Sequence, residues 1–158
     1  MERELAPGLL SATFARISAE TGLRTRTALV PIADLIVKQA RINASVGKHP
    51  YGTKTPAWPG TGPAQISGTL YRSIVRTAVL PSGLGWEVKV GIAAGQYPSY
   101  GSRRSKTPSS KYGMYLETGL RNGAKYPFLE PAFLWVVNGP ARWIYDEMYG
   151  ATGWLRLG

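Results

Sequence analysis

Apolar residues recur at helical steps towards both ends of this chain and alternate singly in its middle. Near the N-terminus Leu10, Phe14 and Ile17 share one stripe, which predicts a short helix over about 9–20 with Gly22 as its stop. Leu29, Ile32, Ala33, Ile36 and Ala40 repeat at three- and four-residue steps, with Asp34, Lys38 and Arg41 free to face solvent, and predict a second helix over 28–44. Pro31 is tolerated within a first turn, so this helix is expected to begin no earlier than about Thr27.

From Val46 to Ile66 glycine and proline follow in quick succession, and we expect an extended arm or long loop over 46–66 carrying Tyr51 and Trp58. The run Thr69–Leu80 is rich in β-branched residues, Pro81 to Gly85 is a turn signal, and Trp86, Val88, Val90 and Ile92 alternate with Glu87, Lys89 and Gly91. Together they predict a hairpin whose apolar side meets the helices. A polar loop is expected over 94–111, and a third strand over Tyr112–Thr118 with Tyr112, Met114 and Leu116 on one side. A last helix is expected from Glu130-Pro131, with an apolar stripe of Phe133, Val136, Val137, Ile144 and Met148, kinked or split at Gly139-Pro140. The tail 151–158 carries Trp154, Leu155 and Leu157. The expected fold is α+β in a single domain over 1–158: N-terminal helices, a small antiparallel sheet of three to four strands, and a C-terminal helix on one face.

Composition narrows the chemistry. Cysteine is absent, which removes disulfides and thiolate metal sites. The segment Met1–Pro7 lacks a basic stretch followed by an apolar run, and no apolar stretch approaches the ~20 residues that span a bilayer, so we expect a soluble intracellular protein without membrane contact. The one histidine, His49, has no flanking nucleophile or orienting carboxylate. Asp146 and Glu147 are adjacent on a helix and therefore on different faces. Gly60-Thr61-Gly62-Pro63 and Gly83-Leu84-Gly85 lack the Gly-Lys-Ser/Thr step of a phosphate loop and read as turns. The expectation is a protein that is not an enzyme and takes no cofactor or metal.

Nineteen Lys and Arg against nine Asp and Glu leave a net charge of +10, which favours an acidic partner: nucleic acid, an anionic membrane or an acidic protein surface. The local cluster Arg103-Arg104-Ser105-Lys106 makes Arg103, Arg104 and Lys106 candidate contacts to a partner or to DNA. Glu117 precedes a glycine turn; it is read either as an acceptor for backbone N–H groups that orders the next loop, the favoured reading, or as an inter-subunit ion pair with a residue such as Arg72.

Two segments stand about forty residues apart: Ser67-Gly68-Thr69-Leu70-Tyr71-Arg72-Ser73-Ile74 and Tyr112-Gly113-Met114-Tyr115-Leu116-Glu117-Thr118-Gly119. The second is followed by Pro127-Phe128-Leu129-Glu130-Pro131-Ala132. In this order they resemble the neck and tail-completion proteins of long-tailed bacteriophages, the lambda minor tail protein Z-like family. Its pattern is T-G-x-L-x-x-S-I, then Y-A-x-Y-x-E-x-G-T, then P-F-L-x-P-A. Gly113 stands at the family's alanine, and Thr118-Gly119 at its closing Gly-Thr. The resemblance implies a structural virion protein that completes the tail or joins it to the head. It also implies a ring of copies, expected to be a hexamer, with neighbouring neck and tail proteins as partners and genomic DNA passing through the lumen. Tyr51, Trp58 and Trp154 are then candidate inter-subunit contacts. The alternative is a basic nucleic-acid-binding module, favoured by charge near Tyr97, Tyr100 and Tyr112.

Overall fold

A computed structural model describes residues 7–50, 52–53, 57–83, 85–100 and 103–149, with side chains from Thr21 onward except at Tyr100 and Arg103. The spine is helix α1 (Pro7–Asn43), about 55 Å long at the usual rise. A single helical turn, α2 (Thr69–Ser73), follows the arm and leads into strand β1 (Ile74–Arg76). Then come β2 (Leu80–Ser82), β3 (Gly85–Glu87) and β4 (Val90–Ile92), and a two-residue pairing of β5 (Ser99–Tyr100) with β6 (Arg103–Arg104). Helices α3 (Ser109–Thr118), α4 (Leu129–Asn138) and α5 (Pro140–Tyr149) complete the α+β plan.

The expected hairpin is present as one folded-back ribbon. Ile74 pairs with Ile92 and Arg76 with Val90, then Leu80 with Glu87 and Ser82 with Gly85. Across the break between the two ladders, the Thr77 N–H donates to the Lys89 carbonyl at 2.9 Å and the Lys89 N–H to the Thr77 hydroxyl at 3.0 Å. The Trp86 ring lies under the Arg26 guanidinium of α1, and Val90 and Ile92 pack on the core, so this ribbon meets the helices as the alternation predicts. Arg76 grips both carboxylate oxygens of Asp34, fastening the ribbon to α1.

Three expectations are corrected. First, Gly22 does not stop a helix and Pro31 does not start one; α1 runs through both. Pro31 forfeits its bond to the Thr27 carbonyl, which in isolation costs about 3 kcal/mol. The buried stripe Ala28, Ile32, Ala33, Ile36, Val37, Ala40 and Ala44 continues across it and outweighs that loss. Second, Thr69–Ser73 is helical, because Thr69 and Ser73, Leu70 and Ile74 are i,i+4 pairs that all turn inward. Third, Tyr112–Thr118 is the body of helix α3 and not a strand. Its buried residues are Ser109, Gly113 and Leu116, a helical spacing, while Met114 faces out.

The core gathers the resembling segments. Leu70 and Ile74 meet Leu116, Phe128 and Ala132 in one cluster with Val37, Ala40 and Ala44 of α1. Phe128 and Ile74 are fully buried. Gly68 opens α2 at φ 70°, a left-handed conformation in which an added Cβ would also lie 2.9 Å from Gln65 Nε2. Gly113 brings α3 against Ile92, whose Cδ1 would lie 2.1 Å from an alanine Cβ.

Glu117 reaches from the last turn of α3 to the start of α4. Its Oε1 accepts the N–H of Phe128 at 2.7 Å and the N–H of Leu129. No side chain of α4's own start caps it, and Pro131 spares a third donor in the same turn. A carboxylate here also suits the positive end of the helix dipole. Arg72 donates instead to the Ser67 carbonyl, so the local reading of Glu117 is the one realised within the chain. Glu117→Ala is expected to cost about 2–3 kcal/mol, because two N–H groups lose a charged acceptor. Glu117→Gln, which keeps an acceptor oxygen, should cost roughly half as much. Urea denaturation midpoints would measure both; equal midpoints for Glu117→Ala and the parent would contradict the cap.

Candidate functional site

Helix α4, Leu-Glu-Pro-Ala-Phe-Leu-Trp-Val-Val-Asn, is apolar at almost every position, a composition suited to a helix covered all round. In this fold only Ala132 and Val136 are buried. Phe133 is 51% exposed and Trp135 54%, with Leu134 and Val137 also uncovered. On α5, Trp143 stands 78% exposed. Large uncovered aromatic side chains on these two consecutive helices are candidates for contact with a partner. The expected stripe is therefore corrected in part: Val136 is in the core, Ile144 is half-buried against it, and Phe133 and Val137 are uncovered. The composition of α4 held the signal, since a small domain has no second layer with which to cover a helix on every side.

Beside this surface an apolar groove of about 950 Å³ opens between α1, the ribbon, α4 and α5. Ile32, Ala33 and Ile36 form its base, with Val88 and Val90 from the ribbon and Phe133 and Val137 from α4. Glu130, Arg142, Tyr145 and Asp146 supply its polar atoms. Sequence patterning did not disclose the groove, because α1, the ribbon and the α4–α5 pair that form its sides are distant in the chain.

The basic cluster sits on a small structure of its own. Tyr100 pairs with Arg103 and Ser99 with Arg104, the Ser105 N–H donates to the Pro98 carbonyl at 2.8 Å, and the Ser109 N–H donates to Gln96 at the start of α3. The Arg104 guanidinium lies 4.7 Å from the centre of the Tyr97 ring, a cation–π contact on an exposed surface, and Lys106 is exposed beyond it. The side chain of Arg103 lies outside the described residues.

The 46–66 segment folds back on its own domain where it is described. The His49 N–H donates to the Gln65 carbonyl at 3.1 Å and the Gln65 N–H to the Gly47 carbonyl at 2.7 Å, a parallel bridge of Lys48 with Gln65, and the Gly60 N–H donates to the Lys125 carbonyl at 2.8 Å. Gly62 packs on the end of α1 so closely that a Cβ would lie 1.9 Å from the Asn43 carbonyl oxygen. Trp58 is left at the outer bend, 80% exposed, with its carbonyl held by the Thr61 N–H and hydroxyl. Tyr51 and Trp154 lie outside the described residues.

Arg104 and Lys106 are thus both exposed in the segment around the β5–β6 pairing, and Trp58 stands on a separate loop. Among the described residues no group of three or more His, Asp or Glu side chains could hold a metal ion, and no helix is long and apolar enough to cross a membrane. Compared with protein-family models, curated proteins and solved structures, the chain matches none.

Proposed function

We propose that this chain is a structural virion protein of a phage neck or upper tail, completing the tail or joining it to the head as one subunit of a ring. The uncovered apolar surface of α4 and α5 carries this reading. Phe133, Trp135 and Trp143 are large apolar side chains, each about half or more exposed on α4 and α5, a loss of burial that contact with a partner would recover. Support for the particular family comes from its three segments, which act as one unit: Leu70 and Ile74 from the first, Leu116 and Glu117 from the second, and Phe128 from the third share a core and a helix cap. These residues shape a scaffold and are not disposed for bond-breaking chemistry, so the reading requires neither enzymatic activity nor a cofactor. Its partners are copies of itself in a ring of six, the adjoining neck and tail proteins, and DNA in transit. Its place is the virion, after synthesis in the bacterial cytoplasm. The test is location: a labelled copy should be found at the head–tail junction of assembled particles, and a label confined to unassembled protein contradicts the proposal.

The Arg104–Tyr97 stack favours one second reading, a nucleic-acid-binding module, since stacked cations and aromatics suit single strands. DNA titration separates the two: tight binding by a monomer with a steep salt slope supports the module. On the neck reading, the basic hairpin of each subunit joins a band around the ring and meets an acidic face of the next ring. Replacing Arg103, Arg104 and Lys106 by serine should leave the denaturation midpoint unchanged and lower the fraction of tails joined to heads. Normal numbers of infectious particles across a range of salt would reduce this hairpin to a solvated surface.

A further inference from the structure

Between Asp34 and Glu87 the chain carries no acidic residue, but it carries Lys38, Arg41, Lys48, Lys54, Arg72 and Arg76. Lys48 and Arg72 stand around a pocket of about 360 Å³, formed where the 46–66 segment rejoins α2 and lined by Lys48, His49, Gln65, Ser67 and Gly68 among others. The parallel bridge of Lys48 with Gln65 holds its two sides together. Gly68 shapes its floor. Gln65 Nε2 lies 2.9 Å, and Arg72 Nη1 3.0 Å, from the point where a Cβ on Gly68 would stand. Two side-chain donors thus converge on a space that any other residue would fill. The Ser67 carbonyl accepts from Arg72 Nη2 at 3.3 Å and keeps the guanidinium there. Arg72 Nη1, Gln65 Nε2 and the Lys48 ammonium meet no acceptor among the described residues, and no carboxylate lines the pocket. The Ser67 hydroxyl is already engaged with Thr69.

Donors that converge without an acceptor are the complement of an oxyanion. Guanidinium, ammonium, amide and imidazole groups from four residues offer more N–H donors than the two oxygens of a carboxylate require. A phosphate, with more oxygens and more charge, matches them better, and the planar fork of arginine suits it in particular. We infer that this pocket binds a phosphate group, with Arg72 and Lys48 supplying the charge and the N–H groups of Gln65 and His49 directing it. Inorganic phosphate and a phosphodiester of the DNA backbone present the same chemistry, and the exposure of Lys48 and Arg72 admits either. The site would give DNA in transit a defined contact apart from the basic hairpin, and it holds whether or not copies of the chain form a ring.

Backbone amide resonances of the full-length protein test this directly. Sodium phosphate added at constant ionic strength should shift the amides of Gln65, Gly68 and Arg72 along saturating curves. Lys48→Gln combined with Arg72→Gln alters two exposed side chains, so the denaturation midpoint should hold. The half-saturating phosphate concentration should rise at least about tenfold, as the loss of a charge-assisted bond requires. Arg24→Gln combined with Lys38→Gln removes the same charge from exposed positions of α1 outside the pocket, and should raise it no more than about twofold. Gln65→Met, which keeps the side chain's length without its amide, should raise it about threefold or more. Shifts that stay linear with phosphate, or equal losses from the two double variants, overturn the site. A short DNA duplex then identifies the source. If it moves the same amides and inorganic phosphate displaces it from them, the ligand is a backbone phosphate. If it leaves them unmoved while inorganic phosphate saturates them, the pocket takes free phosphate. A protein that passes the phosphate test but is absent from the neck keeps the site and loses the neck assignment, and a neck protein that fails it does the reverse.

Discussion

Phe128→Ala should lower the stability of this protein by about 3–5 kcal/mol, a large part of the ~5–15 kcal/mol that holds a typical domain together. The ring is fully buried among Leu70, Ile74, Leu116 and Ala132, with Val37, Ala40 and Ala44 of α1 in the same cluster. Its backbone is tied on both sides: Glu117 accepts its N–H at 2.7 Å, and Asn43 Nδ2 donates to its carbonyl at 3.1 Å. The residue is thus held where α1, α3 and α4 converge, and the surroundings have little freedom to close a cavity. An incomplete collapse puts the cost at the upper end of the range. Urea or thermal denaturation measures it, and a midpoint within error of the parent would show that Phe128 does not anchor the core.

The second large effect concerns assembly and leaves the fold alone. Trp135→Glu combined with Trp143→Glu alters two side chains that are mostly in water, so stability should change by no more than about 0.5 kcal/mol at each position. Buried aromatic anchors dominate interfaces, and a charge placed in a desolvated contact adds its own penalty. Infectious particles should therefore fall by about a hundredfold or more, equivalent to the loss of one or two such anchors per contact. The double variant is expected to accumulate as folded, unassembled protein. Particle numbers equal to the parent would mean that these residues meet no partner.

Much of the architecture was legible where a single periodicity dominated. The alternation from Trp86 to Ile92 marked the second arm of the ribbon, and Gly139-Pro140 marked the division between α4 and α5. Glu117 was legible as a local acceptor because a carboxylate before a glycine turn has backbone donors within reach. Misreadings arose where tertiary packing overrode local preference. Pro31 and Gly22 are poor interior helix residues, yet the buried stripe on either side of Pro31 holds α1 continuous. The segment from Tyr112 is short enough to satisfy both a strand and a helix pattern, and the helical spacing of its buried residues Ser109, Gly113 and Leu116 shows only once its packing against Leu70 and Ile92 is seen. Of the candidate contact residues, Trp58, Arg104 and Lys106 are exposed as a partner contact requires. The apolar surface of α4 and the neighbouring groove were not anticipated, because exposure depends on what the rest of the chain fails to cover.

A reconstruction of the intact particle without imposed symmetry tests the central claim most directly. We expect copies of this chain at the head–tail junction in a six- or twelve-fold ring, with Phe133, Trp135 and Trp143 of each subunit buried against a neighbour. A copy number incompatible with those symmetries, or a ring in which the α4 and α5 aromatics face solvent, would contradict it.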